Sequence, residues 1–184
     1  MEISPIIKKT TKIKTMFRKI NPKEISENAI KLIAGDWALV SAGSPENFNS
    51  MTVSWGGIGE MWGRDAAFIF IRPNRYTYEF VEKNELFSVC FFHEKYRESL
   101  KICGTKSGRD GDKLGLTQLN AQFTSSLTPI FKEAKLVLEC KKMYSDFIKP
   151  ECFLDKDQIE RWYPDKSFHK MYVAEIKNCW IAKS

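Results

Sequence analysis

The sequence predicts a mainly β domain with short helices, whose strands close into a barrel. Six segments rich in β-branched and aromatic residues are punctuated by Gly, Pro, Asn and Asp, as strands are. Regular helices do not alternate with them, which argues against a doubly wound parallel sheet. With 184 residues, 43% of them hydrophobic, the chain suits one core and is short for two domains. The predicted strands are residues 37–42, 49–55, 66–72, 86–92, 133–144 and 172–182.

Short helical patterns interrupt these strands. Asn21-Pro22 opens a helical pattern in which residues 25–33 place four apolar side chains on one stripe, and Gly35 follows in a position to end the helix. We expect this helix to cover one end of the core. Two further helices are predicted at residues 77–84 and 94–103, the second ended by Gly104. The connections at 104–119 and 147–170 are long and polar, as functional covers or disordered segments are.

The positive charge of the chain is concentrated near its start. The formal net charge is +6, and residues 1–20, with six Lys and Arg against Glu2, account for +5 of it, which leaves +1 for the rest. A solvated, frayed arm is the simpler interpretation of this segment, and a phosphate-binding arm is the alternative. The sequence therefore divides into a basic arm at 1–20 and a single domain at 21–184.

The cysteines and the apolar runs indicate the cellular location of the protein. Five cysteines are an odd set without C-x-x-C or metal-ligand spacing, which argues against a disulfide framework and a zinc site. A reducing, cytoplasmic location fits best. No basic start leads into an apolar signal region, and the longest apolar runs fall well short of roughly 18 residues. Neither secretion nor a membrane partner is expected.

The first segment suited to chemistry is Asn-Ser-Met-Thr-Val-Ser-Trp-Gly-Gly at residues 49–57. Ser50, Thr52 and Ser54 alternate onto one face of the predicted strand. In an ordinary barrel such a face points to solvent. The alternative is that closely set hydroxyl and backbone donors bind a phosphate monoester or a ring edge, with the double glycine letting a ligand approach the backbone.

The second segment is Ile-Arg-Pro-Asn-Arg-Tyr-Thr at residues 71–77, where a strand passes into a helix. Pro73 stiffens the turn, and Thr77 is a candidate N-cap. Backbone N–H groups and the guanidinium groups of Arg72 and Arg75 could converge on one anion, which describes a phosphate site. A solvated turn with two surface arginines is the alternative.

The third segment is a Gly-rich loop at residues 104–113 that mixes hydroxyls with Lys and Arg. No G-x-x-x-x-G-K-[ST] pattern occurs, so ATP binding is not indicated, and an exposed charged loop is the alternative. Asp110-x-Asp112 lacks the spacing of a calcium loop. With only His93 and His169 in the chain, no Ser-His-Asp arrangement and no catalytic side chain are predicted.

Taken in chain order, these motifs resemble the flavin reductase-like, FMN-binding split-barrel family, and specifically its flavoredoxin-like branch. The resemblance runs from about residue 21 to the C-terminus and includes residues 133–140 and 168–172. It implies a Greek-key-like, FMN-binding split β-barrel and a homodimer with FMN near the subunit interface. Residues 111–119 and the stretch after them depart from the family in being compressed and polar, so we expect the cover of the substrate pocket, and with it the choice of acceptor, to differ from that of relatives.

The resemblance also implies which residues hold the cofactor. The strand residues would line the flavin, the turn residues would hold its phosphate end, and the loop residues would close over it. His169 and Tyr172 would lie near the ring or the partner chain without an assigned role. The implied FMN-binding residues are Asn49, Ser50, Met51, Thr52, Ser54 and Trp55 on the strand, Arg72, Pro73, Arg75, Tyr76 and Thr77 on the turn, and Lys106, Ser107 and Gly108 on the loop.

The implied function is the transfer of reducing equivalents from NAD(P)H through FMN to a flavin, a small molecule or a protein. The flavin itself accepts the hydride, so the protein needs only to position it. An FMN-binding electron carrier without turnover is an alternative that the sequence does not separate from an enzyme. A nucleic-acid-binding barrel is a second alternative, but it requires a basic stripe that the nearly neutral domain does not supply.

Overall fold

The computed structural model describes residue 13 and residues 15–183. Seven strands form one antiparallel path in the order β3-β2-β6-β9-β10-β5-β4, β1 adds to β10, and β7 and β8 form a separate hairpin. The strands are β1 (Phe17–Ile20), β2 (Ala38–Gly43), β3 (Phe48–Val53), β4 (Gly56–Met61), β5 (Arg64–Ile71), β6 (Leu86–Phe91), β7 (Ala121–Phe123), β8 (Pro129–Phe131), β9 (Leu136–Phe147) and β10 (Lys170–Ala182).

The helices are short and lie in the connections. They are α1 (Tyr76–Lys83), α2 (Arg97–Thr105) and α3 (Asp157–Trp162), together with a π-helical turn at Lys31–Asp36 and 3-10 turns at Pro22–Glu24, Glu94–Tyr96, Leu114–Leu116 and Pro150–Cys152. Within the described residues, no helix combines the length and the apolar character needed to cross a bilayer.

The central part of the sheet is buried on both faces. Val40 and Leu138 belong to an inner cluster of buried side chains. Their neighbours Leu39 and Val137 belong to a second cluster, which includes Leu100 of α2. Burial on both faces explains why several strands read as continuous apolar runs rather than as alternating ones.

The barrel is split between β3 and β4. These two strands end the hydrogen-bonded path and do not pair with each other, although only a short turn separates Val53 from Gly56 along the chain. β3 therefore keeps one edge without a partner strand among the described residues. The turn that follows β5 leads into α1, which packs on β2 and β3.

All six predicted strands are confirmed, but β4 was missed. Gly56 has a φ of +153°, and a Cβ added there would lie 2.3 Å from the carbonyl oxygen of Phe68. Close approach between β4 and β5 therefore requires this glycine. The strand predicted at 133–144 begins at Leu136 and continues to Phe147.

The helical pattern predicted to open at Asn21-Pro22 does begin there, but it is not a single element. A 3-10 turn at Pro22–Glu24 comes first, and a second helical segment ends with the π-helical turn Lys31–Asp36. The Oδ1 atom of Asn28 accepts a hydrogen bond of 3.0 Å from the Lys31 N–H, which fixes the later start. Gly35 lies inside the turn, and the chain reverses at Trp37 with a φ of +65°.

The end of the predicted basic arm belongs to the sheet. β1 pairs with β10 in antiparallel register, with Phe17 opposite Ala182, and Phe17 and Ile20 are buried. The interpretation as a solvated terminus is therefore wrong for β1. Residues 1–12 and 14, which carry most of the charge of the arm, lie outside the described residues.

Candidate functional site

The turn between β5 and α1 is the centre of the site. The Arg75 N–H donates to the Arg72 carbonyl at 3.0 Å, and Arg75, in extended conformation, is the N-cap residue of α1. Thr77, the predicted N-cap, lies instead inside the first turn. Its buried hydroxyl accepts a hydrogen bond of 2.8 Å from Asn49 Nδ2, which ties α1 to the open-edged strand β3.

Two cations lie side by side beneath the Gly-rich loop. The guanidinium of Arg75 donates to the carbonyl oxygen of Gly104. Lys113, which is 5% exposed, donates from Nζ to the carbonyl oxygens of Cys103 at 3.3 Å and Lys106 at 3.2 Å. Among the described residues, neither cation is paired with a carboxylate.

The pKa values of these groups reflect this arrangement. Burial lowers the pKa of Arg75, and the positive charge of Arg72 lowers it further. Burial also lowers the pKa of Lys113, and Arg75 adds to the effect. Positive charge that is buried without a counter-charge is costly, and an anion placed between these groups would stabilise it.

A small pocket lies at this point. Its volume is about 60 Å³, roughly that of two water molecules in the liquid, so it suits a compact charged group rather than a ring system. The pocket brings together six of the predicted site residues: Met51, Arg75, Tyr76, Thr77, Lys106 and Ser107. Lys113 also lines it and was missed, because in sequence it looks like any other lysine of a polar loop.

The Gly-rich loop is fastened across the start of α1. A Cβ at Gly108 would lie 2.4 Å from Asn49 Oδ1 and 3.1 Å from Tyr76 Cδ1, so this position requires glycine for close approach. Arg109 forms an ion pair with Glu79 and stacks its guanidinium 4.9 Å from the centre of the Tyr76 ring. The loop is therefore fastened over the start of α1, although six of its ten residues, including the charged Lys106, Arg109, Asp110 and Asp112, are exposed.

The hydroxyl face of β3 lies under α2. Ser50 and Ser41 share a hydrogen bond of 2.7 Å, and the Thr52 hydroxyl donates to the carbonyl oxygen of Leu100 at 2.5 Å. The solvent-facing interpretation is therefore wrong for Ser50 and Thr52, and the ligand-facing interpretation of this face stays a prediction. Asn49 and Met51, on the opposite face of β3, point toward the turn instead, and Ser54 is exposed beyond the strand end.

Arg72 faces a second cluster, formed by the connection that precedes β10. Its Nη2 donates to the carbonyl oxygen of Trp162 at 2.6 Å, and its Nη1 lies 3.5 Å from Asp165 Oδ2. The predicted convergence of the Arg72 and Arg75 guanidinium groups on one anion stays a prediction. Pro73 separates the two residues, and their guanidinium groups bind different partners.

Aromatic side chains complete the second cluster. The Trp55 ring packs edge-to-face on Trp162 at 5.1 Å and lies 4.9 Å from the His169 ring. The Tyr163 hydroxyl and His169 Nδ1 share a hydrogen bond of 3.0 Å. Burial lowers the pKa of His169 to about 4, and Arg72 contributes to the shift. His169 is therefore neutral near pH 7.

Tyr172 does not belong to either cluster. Its ring is buried in the inner core, and its hydroxyl donates to Glu82 Oε1 at 2.8 Å. Lys170 Nζ reaches Glu82 Oε2 at 2.7 Å. These contacts tie β10 to α1, so Tyr172 has a structural role in positioning the helix that carries Thr77.

The chain matches the sequence model of the flavin reductase like domain over residues 30–184. It therefore belongs to the flavin reductase-like family. No curated protein matches it significantly in sequence.

Solved structures of similar fold support this assignment. An FMN-binding domain of a flavin reductases-like enzyme from Shewanella baltica has a TM-score of 0.64 and 17% identity, over 90% of this chain and 76% of that one. Flavoredoxin from Methanosarcina acetivorans has a TM-score of 0.59 and 22% identity, over 88% and 73%. Flavoredoxin from Desulfovibrio vulgaris (Miyazaki F) has a TM-score of 0.61 and 16% identity, over 88% and 76%. The fold is thus the mainly β split barrel that the sequence predicts.

Proposed function

We propose that this chain binds FMN and uses it to transfer reducing equivalents from NAD(P)H to a flavin, a small molecule or a protein. The observation that carries the proposal is a pair of cations, half-buried Arg75 and buried Lys113, which line a small pocket. No carboxylate is among the residues that line this pocket. The FMN-binding neighbours support it, since they share this fold.

The residues of the turn fit the phosphate of FMN. A phosphate monoester carries a charge near −2 and accepts several charge-assisted hydrogen bonds. Arg75 and Lys106 would supply positive charge, and Ser107 and Thr77 would supply hydroxyl groups, because all four line the same pocket. Holding the phosphate there would also relieve the charge repulsion that lowers the pKa of Arg75.

The open edge of β3 fits the ring system. An edge strand presents unpaired N–H and C=O groups, and N–H groups aimed at an electron-accepting ring stabilise the negative charge of its reduced form. Trp55, 37% exposed just past the end of β3, offers an aromatic face. The flavin supplies the hydride chemistry when bound, while this chain orients the ring and excludes water from one side.

The turn makes a direct prediction about cofactor binding. The double variant Arg72→Ala, Arg75→Ala should release most of the FMN, because it removes a cation at the pocket and a neighbouring one that adds to the local positive potential. The ratio of visible flavin absorbance to protein absorbance measures the loss. Arg64→Ala is the matched control, since Arg64 is exposed and paired with Glu175. Full flavin retention in the double variant would contradict the phosphate assignment.

Turnover needs its own experiment. FMN-loaded protein should oxidise NADH or NADPH in steady state with an added flavin or dye as acceptor, and its flavin absorbance should bleach under anaerobic conditions when the nucleotide is added. A protein that retains FMN but does not react with either nucleotide would be an electron carrier. That outcome would contradict the enzymatic part of the proposal and leave the binding part in place.

The assembly and the location complete the proposal. The structure exposes an apolar patch, consisting of Trp62, Tyr144, Phe147 and Leu154, which is the kind of surface that a second copy would cover. We therefore expect a homodimer. We also expect a cytoplasmic location, supported by five free cysteines, four of them buried.

A further inference from the structure

A second cleft opens next to the phosphate turn. Its volume is about 650 Å³, within the range of roughly 300–1,000 Å³ that is typical of small-molecule sites. It lies between the Gly-rich loop and the start of β3, and it shares Tyr76 and Lys113 with the small pocket. The two spaces are therefore neighbours, separated by the narrow crossing of Gly108 over Asn49.

The lining of this cleft combines three kinds of group. Phe48 and Tyr76 contribute aromatic rings, and Asn47 contributes an exposed amide. Asp112 contributes a carboxylate that is exposed and accepts a hydrogen bond of 3.0 Å from the Gly115 N–H through Oδ1. Rings and amides recognise a heterocyclic base, and a carboxylate beside them accepts hydrogen bonds from ribose hydroxyls.

Lys113 supplies the remaining group. Its ammonium has three N–H donors, and within the described residues it donates to two carbonyl oxygens at the long distances of 3.3 and 3.2 Å. A phosphate oxygen at the boundary between the two spaces would be a stronger partner than either carbonyl. Lys113 therefore lies at the boundary where it could bind a phosphate of a ligand in the cleft, beside the ligand at the turn.

We infer that this cleft binds the adenosine 5′-phosphate part of a dinucleotide, with the base between Phe48 and Tyr76, the ribose at Asp112 and the phosphate at Lys113. The inference rests on the proposed function, because it places the second ligand beside the FMN phosphate. An apolar ligand would not use the charges of Asp112 and Lys113, and a free anion would not use the aromatic walls.

Calorimetric titration of ADP into FMN-loaded protein tests this site. FMN occupies the turn in this experiment, so bound ADP reports on the cleft. ADP should bind with a stoichiometry of about one per chain. Asp112→Asn keeps an oxygen for the Gly115 N–H but removes the charge, and should weaken ADP binding about tenfold, the effect of a lost charge-assisted hydrogen bond. Asp110→Asn, an exposed carboxylate of the same loop outside the cleft lining, should change it less than about twofold.

A second variant fills the space instead of changing the charge. Ala121 lines the cleft from β7, so Ala121→Phe should abolish ADP binding while the FMN content stays near one per chain. The inference is wrong if FMN-loaded wild type does not bind ADP, or if both variants bind it as the wild type does. Bound ADP in a protein that never takes up FMN would contradict the proposed function alone.

Both FAD and the nicotinamide dinucleotides contain this adenosine half, and one further experiment distinguishes between them. If protein loaded with FAD no longer binds ADP, the cleft takes the adenosine of the flavin dinucleotide itself. If FAD-loaded protein still binds ADP, and ADP competes with NADH or NADPH for oxidation, the cleft takes the adenosine of the nicotinamide nucleotide. Either result supports an adenosine site and assigns its source.

Discussion

At the scale of single residues, the site depends on charges whose partners are distant in sequence. Arg75 and Lys113 meet through the carbonyl groups of a loop that runs between them, and their mutual repulsion creates the demand for an anion. Arg72 was predicted to join them. Its guanidinium instead donates a hydrogen bond of 2.6 Å to the carbonyl oxygen of Trp162. Trp162 lies in a connection for which the sequence predicts only a polar, irregular segment.

His169 makes a prediction about pH. Its pKa falls from 6.5 to about 4 in the folded protein because of burial, with a contribution from Arg72. Between these values the unfolded chain binds a proton that the folded chain does not, so the free energy of unfolding decreases as the pH falls through this window. His169→Gln removes this titration. The difference in stability between wild type and variant should therefore shrink from near pH 7 to near pH 4.5, as measured by urea unfolding.

The matched control is His93→Gln, at an exposed histidine outside the aromatic cluster. This variant should follow the pH dependence of the wild type. A pH dependence of His169→Gln that equals that of the wild type would mean that burial does not keep His169 neutral.

Site residues were predictable where the sequence motif and the fold agree, and not where packing decided. The segment around Arg75 indicated a phosphate site, and the resemblance placed the loop around Ser107 over the cofactor. The structure brings both segments to one pocket. Alternation correctly put Ser50 and Thr52 on one face of β3, but alternation does not say what covers that face. The helix α2 covers it, and the Leu100 carbonyl oxygen of α2 accepts a hydrogen bond from the Thr52 hydroxyl. No local sequence pattern predicts this contact.

At the scale of elements, strands buried on both faces were easy to predict and the others were not. β6 and β5 are apolar runs bounded by turn residues. β4 contains three glycines and a glutamate among its six residues, a composition that local propensity assigns to a loop. It exists as a strand because β5 pairs along its whole length. Tertiary pairing with β10 likewise makes the end of the basic arm a strand, β1.

The strand β1 predicts a measurable contribution to stability. Phe17→Ala should lower the free energy of unfolding by about 3–5 kcal/mol, because it empties a packed aromatic site between β10 and the buried cluster that contains Leu39 and Val137. Arg18→Ala, at the exposed neighbour, should change it by less than about 0.5 kcal/mol. Urea unfolding of both variants provides the measurement. Similar small losses in both would mean that the domain does not need β1.

At the scale of the whole molecule, the apolar patch of Trp62, Tyr144, Phe147 and Leu154 has no cover among the described residues. Three of its members, Tyr144, Phe147 and Leu154, line an apolar groove of about 500 Å³, and Trp62 packs edge-to-face on Tyr144 at 6.3 Å. Leu154 is fully exposed. A surface of this kind is typical of an interface between copies.

The patch leads to a prediction about the assembly. The double variant Phe147→Asp, Leu154→Asp should convert a dimer into a monomer, since two carboxylates in an apolar interface lose their hydration without a partner. Light scattering after size-exclusion chromatography measures the mass. Ile30→Asp is the control, because Ile30 is equally apolar and exposed but lies outside the patch. A double variant that stays dimeric would place the interface elsewhere.

The central claim is that this family member holds FMN at the turn beneath its Gly-rich loop. The most direct test is the absorbance spectrum of the purified protein, before and after incubation with added FMN, followed by heat release and chromatography of the yellow ligand. The account predicts flavin bands, with FMN released at about one molecule per chain. A colourless protein that also fails to bind added FMN would contradict it.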